Sequence, residues 1–531
     1  MPTVLHTASM ELSRTPDEVA EALRDHLGAE PQPDGSWRAL IPDDPSDSGR
    51  FEFTVEQGSA DTSTKLSISC ANDSKLPYFN GVVDAVMLLH YEKAIEYAAG
   101  VLRHELEAKA TPSRPRRFPL LPPVPYSNEQ AIMLVTAGFA IAVATFGQSI
   151  IGQYGSPIKK SFSLTNGEYS NLLSVLRVGA LVALFAAGLA DRIGRRKVVL
   201  VSLLGMAAAN FISAFAPNAV SLTVFQTIAR GFATAVAIVA AVAAIEEAPE
   251  RARAFATTIL ALTGGVGFTL TVILLPTADY SKLAWRAMLL ISAASALLVR
   301  RIASHLEESK RYERVSQLTQ HRGKMREVLG PQYRKRFILM ALIGFFTNVL
   351  AAPSAQLTNT YLTDVHHYSN KFILLFRAGT TTIPGFIAIS LTAKLLDRYG
   401  RKPVAMVSLS VGAAVRALFF LTGGPILWFA SGFGDMALAI GALAIGTQNI
   451  ELFPTEARGV SNGLVTLISV IGSIAGIQLA GQLSDPLGGI GRSIALCAAG
   501  TFVAAIFIVP FLPESNQRDL DDISPPEVVD D

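Results

Sequence analysis

From Gln130 to Phe511 the chain carries twelve apolar runs of about twenty residues each. About twenty residues is the length that crosses the hydrocarbon core of a bilayer at 1.5 Å per helical residue. Hydrocarbon offers the backbone no hydrogen-bond partners, so the runs must be helices. Their extents are 130–152, 169–190, 198–215, 219–245, 254–275, 284–301, 336–357, 370–393, 404–422, 425–448, 460–481 and 490–511. Half the residues are hydrophobic and 17% are charged, against roughly a quarter charged in soluble chains. Mean hydropathy is +0.38. A soluble globular protein is excluded, and a polytopic membrane protein is expected. The cations say which way it lies. Arg192, Arg195, Arg196 and Lys197, then Arg251, Arg253, Arg398 to Lys402 and Arg458, all fall between spans on one side. Only Lys159, Lys160, Lys282, Arg286 and Arg492 fall on the other. Positive loops stay in the cytoplasm, so both termini are expected there, in a cytoplasmic membrane.

The runs repeat. Gly188 to Lys197 reads GLADRIGRRK and Lys394 to Pro403 reads KLLDRYGRKP, with Asp191 and Asp397 206 positions apart. Glu246-x-x-Pro249-x-x-x-Arg253 matches Glu451-x-x-Pro454-x-x-x-Arg458 at an offset of 205. Arg286 heads span 6 as Arg492 heads span 12, and the sequence at Leu306 to Ser309 (LEES) pairs with Leu512 to Ser515 (LPES), both at 206. One offset at four places predicts two six-helix halves in the same orientation, 129–303 and 336–515. A central cytoplasmic loop, 304–335, joins them, and a tail, 516–531, follows. Parallel halves of this kind enclose a site near the membrane midplane.

Residues 1–112 are different material. Val4 to Leu12, Ser36 to Ile41, Phe51 to Glu56 and Lys65 to Cys70 alternate like half-buried strands. Thr15 to Leu27 is an amphipathic helix with acids in its first turn, and Tyr78 to about Ala108 is a long helix. The order predicts a small cytosolic α+β domain, an assembly or regulatory module with a protein or ligand partner. It is similar in outline to helix-grip domains. Residues 113–128 form a linker whose prolines favour an extended spacer. Its Arg114, Arg116 and Arg117 can meet anionic lipid headgroups. No cationic segment followed by an apolar core opens the chain, so no cleaved signal peptide is expected.

The repeated motifs carry a resemblance. From about 128 to 518 the chain resembles the major facilitator superfamily: GLADRIGRRK matches its loop between helices two and three, and KLLDRYGRK the loop between helices eight and nine. ELFPTEARG (Glu451 to Gly459), WRAMLLIS (Trp285 to Ser292), LEESKRY (Leu306 to Tyr312) and the terminal LPES are similar to the sugar porters and metabolite–proton symporters. The resemblance implies a secondary transporter whose inner gate is built from these turns. Gly188, Asp191, Arg195, Glu246 and Arg253 would gate one half, and Asp397, Arg401, Glu451 and Arg458 the other. Gly188 permits close helix approach, and Arg195 can pair with Glu246 or Glu247. Lys394 replaces the glycine in the second copy, so the second gate should be the weaker.

Transport chemistry is sought at ionisable residues within the spans, which are costly there and usually functional. Arg177, Arg230, Arg377, Arg416 and Asp435 qualify. Arg230 and Asp435 are repeat mates 205 apart, on helices four and ten, which line the cavity in the family fold. Two readings stand: Asp435 carries the coupled proton, or Arg230 and Asp435 form a fixed ion pair closing the outer gate. Arg377 is read as snorkelling to the outer interface. Ala131 to Ile151 contains no acid, so span 1 offers only polar groups, Gln148 and Gln153 among them; span 7 offers Asn348 and Gln356. The excess of buried cations suits an anionic substrate held by Arg230 and Arg177.

The expectation is therefore a mostly helical membrane protein, two six-helix bundles behind a small α+β domain. It should work by alternating access as a proton-coupled importer of a small organic acid. A sugar or polyol porter, a drug exporter, or a membrane sensor built on a transporter body are the alternatives. No nucleotide-binding loop, paired catalytic carboxylates, Ser/His set or metal cluster is legible. Neither an enzyme nor a cofactor is expected, and the near-neutral net charge of +2 gives no sign of nucleic acid.

Overall fold

The N-terminal domain begins with strand β1 (Thr3–Leu12) and helix α1 (Pro16–Leu27). Four strands follow: β2 (Glu30–Pro31), β3 (Trp37–Leu40), β4 (Arg50–Gln57) and β5 (Thr64–Asn72), and helix α2 (Asn80–Glu107) closes the unit. This is a computed structural model, and it describes residues 3–41, 50–58, 63–72, 76–78, 80–107, 122, 124–182, 189–190, 192–249, 252–308, 330–453 and 458–514. The sheet is antiparallel in the order β1-β5-β4-β3-β2. Period-two alternation puts Phe51 and Phe53 of β4, and Leu66, Ile68 and Cys70 of β5, on one buried face. Val19 and Leu23 of α1 and Tyr91, Ile95 and Leu102 of α2 complete that core. Thr15 and Glu18 make a capping box at the start of α1, and Gly28, at φ 62°, ends it. The two-residue β2 is not legible in the sequence. It exists only by pairing with Trp37 and Arg38 across a turn that Asp34 and Ser36 brace.

A helical stretch stands at each of the twelve predicted spans. Spans 1 to 6 are Asn128–Gln153, Asn166–Val182, Arg195–Ala214, Ala219–Glu247, Arg253–Ile273 and Ala284–Ala293, the last continued by Ala294–Leu298 and Val299–Ala303. Spans 7 to 12 are Pro331–Asp364, Asn370–Tyr399, Arg401–Leu421, Pro425–Glu451, Arg458–Gln482 and Ile490–Phe511. Span 8 is broken by a π-helical turn, Ala378–Thr382, and span 12 by another, Val503–Ile508. Nine helices among the described residues are by length and hydropathy alone sufficient to cross a membrane. Spans 2, 6 and 8 are not among them. Span 2 is described only to Val182, and span 6 consists of three short helices. We call the face at which span 1 begins proximal and the opposite face distal. A short helix, Gly155–Phe162, where the sequence suggests only loop, follows span 1 at the distal face.

Glycines set how closely spans approach, and they do so twice in register. A Cβ at Gly267 of span 5 would collide with the Ala142 carbonyl of span 1. A Cβ at Gly472 of span 11 would collide with the Phe345 carbonyl of span 7. The two glycines are 205 apart, so the sequence repeat is also a packing repeat.

The chain packs as two compact units. One joins residues 1–140, 240–263 and 301–311, that is, the N-terminal domain with the proximal ends of spans 1, 4, 5 and 6. The other holds 141–239, 264–300 and 312–531. Within the first, Tyr126 donates to the Ala252 carbonyl (3.1 Å) and Gln130 to that of Glu247 (2.9 Å). These bonds tie the start of span 1 to the turn between spans 4 and 5.

Candidate functional site: a charged layer between the spans

Arg177 and Arg230 each sit eleven residues from the distal end of their helices, Asn166 and Ala219, roughly 16 Å along the axis. They share a depth because spans 2 and 4 touch there. A Cβ at Gly179 would collide with the Thr227 carbonyl, and one at Gly231 would lie 3.2 Å from the Gly179 carbonyl. Both guanidiniums are half-buried on these touching helices, the charge of Arg230 acts on Arg177, and the Arg230 Nε is buried without a hydrogen-bond partner. Like charges in low dielectric raise each other's energy. An anion between them would remove that cost.

In the second half, Arg416 of span 9 is 2% exposed. Its Nε donates to Ser354 Oγ (2.6 Å) and its Nη2 to Thr358 Oγ1 (2.9 Å), while Nη1 lies 3.0 Å from Asp435 Oδ1. The rings of Phe419 and Phe420 flank the guanidinium at 4.5 and 5.2 Å. Thr381, in the π-helical turn of span 8, donates to the other Asp435 oxygen at 3.2 Å. Of the two readings of Asp435, the fixed ion pair with Arg230 is therefore corrected. Asp435 pairs with Arg416, because the spans 9 and 10 that carry them pack side by side along Gly412 and Gly441. The snorkelling expected of Arg377 is corrected too. The side chain is 6% exposed, and its guanidinium lies 5.9 Å from the Phe268 ring of span 5.

The neutral polar candidates fall on spans 1 and 7, and the structure brings two of them together. Gln153 Nε2 donates to the Ala355 carbonyl (3.4 Å), its Oε1 accepts from Asn359 (2.8 Å), and the Gln356 carboxamide is pressed against Gly152. Asn348 instead donates to the Gly344 carbonyl (2.9 Å) and accepts from Ser473 (3.3 Å), and Gln148 is half-buried on span 1. Further out, a set of bonds joins the distal ends of the two halves. Lys159 Nζ lies 2.8 Å from Asp364 Oδ2, and Ser156 donates to Asp364 Oδ1 (2.8 Å). Asp279 accepts from the Asn370 side chain (2.7 Å), and Asn166 donates to Ser484 (3.0 Å). A cavity of about 490 Å³ beside this latch is lined by Lys159, Lys160, Asp364 and His367, among others. In the sequence Lys159 stands only as a loop charge. The one signal that could have singled it out is an acid at the far end of span 7.

At the proximal face the second copy of the duplicated turn is described in full. Arg401 Nη2 meets Glu451 Oε1 at 3.0 Å. Glu514 accepts from the backbone N–H of Arg401 and of Lys402, each at 3.0 Å, filling the positive N-terminus of span 9. Gly400 turns the chain there at φ 87°. Asp397, expected in this gate, is exposed, and the backbone N–H groups at the start of span 9 are accepted by Glu514 of the LPES motif. In the first copy Gly188 and Asp191 lie outside the described residues. Arg195 opens span 3, Glu246 lies near the end of span 4, and Arg253, exposed, opens span 5; Arg458 opens span 11.

Two six-helix repeats with a charged layer between their spans define a membrane transporter of the two-half type. The chain belongs to the Major Facilitator Superfamily, whose family model matches residues 137–477. It is 26% identical over 377 residues to a protein of Cupriavidus pinatubonensis named "Probable 4-methylmuconolactone transporter", covering 67% of this chain and 84% of that one. To the gentisate transporter of Corynebacterium glutamicum it is 24% identical, covering 67% and 82%. The xylose transporter XylE from E. coli superposes with a TM-score of 0.57 at 14% identity, over 73% of this chain and 98% of that one. The small α+β domain precedes this family region.

Proposed function

We propose that the protein is a secondary active transporter that imports a small organic acid with protons by alternating access. Its membrane is the cytoplasmic one, with the proximal face inside. The observation that carries this reading is the pair Arg177 and Arg230, two neighbouring cations deep in the spans, with the Arg230 Nε unpartnered. A substrate carboxylate completes such a pair with charge-assisted bonds. A sugar, having no charge, leaves it as it is. The gentisate transporter of Corynebacterium glutamicum, named for an acid anion, supports the same side.

Asp435 is the proton-carrying candidate, since no other carboxylate in the sequence lies in the middle of a span. Its side chain is 24% exposed beside an Arg416 that is 2% exposed, so it can exchange a proton from one side. Gln148, Gln153, Asn348 and Gln356 supply neutral contacts. Gln153 and Gln356 become available only once the distal ends part. On the proximal side the Arg401–Glu451 pair and its counterpart in Arg195 and Glu246 hold the gate, and by the duplicated motifs Gly188, Asp191, Arg253, Asp397 and Arg458 belong to the same gate.

The test is uptake by the purified full chain in proteoliposomes. An inside-alkaline gradient should drive accumulation of a carboxylate, and a protonophore should abolish it. Carboxylate binding without flux in either direction would replace the transporter with a sensor. The docking of Tyr78 of the N-terminal domain on Phe139 of span 1 is what favours that second reading.

A further inference from the structure

We propose that Arg377 is the second half's own ligand for the substrate anion, so that the bound carboxylate or other oxyanion is held by cations from both halves. This rests on the anionic-substrate reading above and adds to it a residue and a geometry.

Charge and occupied positions both single out Arg377. The middle of the spans holds four guanidiniums, on Arg177, Arg230, Arg377 and Arg416, against the single carboxylate of Asp435. Arg416 has used that carboxylate: its three nitrogens face Ser354, Thr358 and Asp435. The second oxygen of Asp435 is taken by Thr381. Arg377 feels both neighbours electrostatically, the attraction of Asp435 and the repulsion of Arg416. Its share of a carboxylate already engaged at both oxygens cannot neutralise it.

Position matters as much as charge. Arg377 is 6% exposed, and a buried cation without a full counter-charge is costly. It lies seven residues into span 8 from Asn370, roughly 10 Å from that end. Asp435 lies ten residues into span 10 from Pro425. That is the same layer as Arg177 and Arg230 to within about a helical turn. The π-helical turn, Ala378–Thr382, begins at the next residue. Such turns recur at functional sites. Here the turn delivers Thr381 to Asp435 and Thr380 to Ser431, fixing the backbone behind Arg377. Finally, Arg377 also meets the opposite half. Its guanidinium lies over Phe268, a half-buried ring on span 5 of the first half. A cation that is buried, positioned and turned toward the opposite half is placed to meet an anion whose other side is held by Arg230.

The experiment measures binding to the purified full chain by thermal shift, confirmed by calorimetry. The probes are acetate, benzoate and pyridine-3-carboxylate, each with its neutral amide, and inorganic phosphate as a separate arm. In the wild type at least one carboxylate should bind and its amide should not. Arg377→Gln should weaken that carboxylate by about tenfold or more, as expected for loss of a charge-assisted hydrogen bond, and leave the amide unchanged. Arg377→Lys keeps the charge beside Asp435 and guards against a folding defect. It should bind between the two, because it lacks the planar fork. If Arg230→Gln abolishes carboxylate binding while both Arg377 variants bind within about twofold of wild type, this inference is overturned and the anionic-substrate reading stands. If the wild type prefers no carboxylate to its amide and no phosphate, both fall. Phosphate binding that is lost in Arg377→Gln supports the inference with an oxyanion other than a carboxylate.

Discussion

Lys159 and Asp364 meet at 2.8 Å between the distal ends of the two halves, one on the short helix after span 1 and the other at the end of span 7. Ser156 holds the second Asp364 oxygen, and Gln153 with Asn359 closes the layer beneath. In the proposed alternating-access cycle these bonds must break. Asp364→Asn should therefore shift the chain toward a distal-open state. A cysteine placed at Gln356 should react faster with a membrane-impermeant maleimide in that background. The rate should rise about fivefold, since partly exposed pairs contribute about 1 kcal/mol. Cys70 and Cys497 are both buried and should contribute little background. An unchanged rate would remove Lys159 and Asp364 from the gate.

The Arg416–Asp435 contact predicts a stability role for Asp435 that can be separated from its proposed transport role. Arg416 is 2% exposed, and Asp435→Asn leaves it with no carboxylate. Breaking a buried pair from one side costs about 3–5 kcal/mol, visible as a lower melting temperature. Arg416→Met with Asp435→Asn should cost less than the two single changes added together. If Asp435→Asn folds and still accumulates substrate down a pH gradient, Asp435 is not the proton carrier.

Much of this was legible because membrane architecture is written in long, one-dimensional patterns. Twelve apolar runs and a 205–206 offset specify the number, order and pairing of spans without any knowledge of side-chain positions. The strands of the N-terminal domain were legible for the same kind of reason, Phe51 and Phe53 or Leu66 and Ile68 alternating at period two. The charged layer was legible only as an inventory. Arg230 and Asp435 are symmetry mates by number, yet Asp435 pairs with Arg416, because neighbouring helices in one half set side-chain contacts and the repeat does not. Repeat arithmetic also hides divergence. The position of Arg416 corresponds, at 206, to Asn210, a buried amide bonded to Ser292 and Gln226. Arg377 is buried next to the π-helical turn, and Glu514 accepts from its place at the end of span 12; neither feature leaves a periodic trace.

Gly179 offers a test of whether the arginine pair depends on helix approach. A Cβ there meets the Thr227 carbonyl, which is backbone and cannot swing away. Gly179→Val should force spans 2 and 4 apart. Overpacking of a fixed contact costs about 1–3 kcal/mol, and carboxylate binding should weaken with it although no charge is altered. Gly265→Ala, in open space, is the control and should leave both stability and binding unchanged. Normal binding in Gly179→Val would show that Arg177 and Arg230 act separately.

His366 should give the distal face a pH dependence of definite sign. It lies in the loop after span 7, its Nε2 3.0 Å from the Tyr361 hydroxyl. Burial lowers its pKa below the ordinary 6.5, and the charge on His367 lowers it further. The unfolded chain then binds the proton more readily than the folded one. This contribution to stability is fully present above pH 6.5 and is lost as pH falls through the lower folded value. Melting temperature should fall on acidification through that window. His366→Gln should remove that part of the slope, and an unchanged slope would assign it to other groups.

Tyr78 tests whether the N-terminal domain and the transporter body communicate. Its ring stacks on Phe139 of span 1 at 4.1 Å with an interplanar angle of 7°. The Arg301 guanidinium lies 5.3 Å over the ring and donates to the Pro77 carbonyl at 3.1 Å. Burial raises the pKa of the hydroxyl, so it stays neutral at physiological pH. A stacked aromatic pair is worth about 0.5–1.5 kcal/mol beyond the area it buries, and Tyr78→Ala and Phe139→Ala should be coupled by that amount in a double-mutant cycle. If the domain regulates transport through this contact, Tyr78→Ala should change the uptake rate in the same direction as deletion of residues 1–112. Coupling without any change in uptake would make the contact an anchor for the domain and exclude it as a control point.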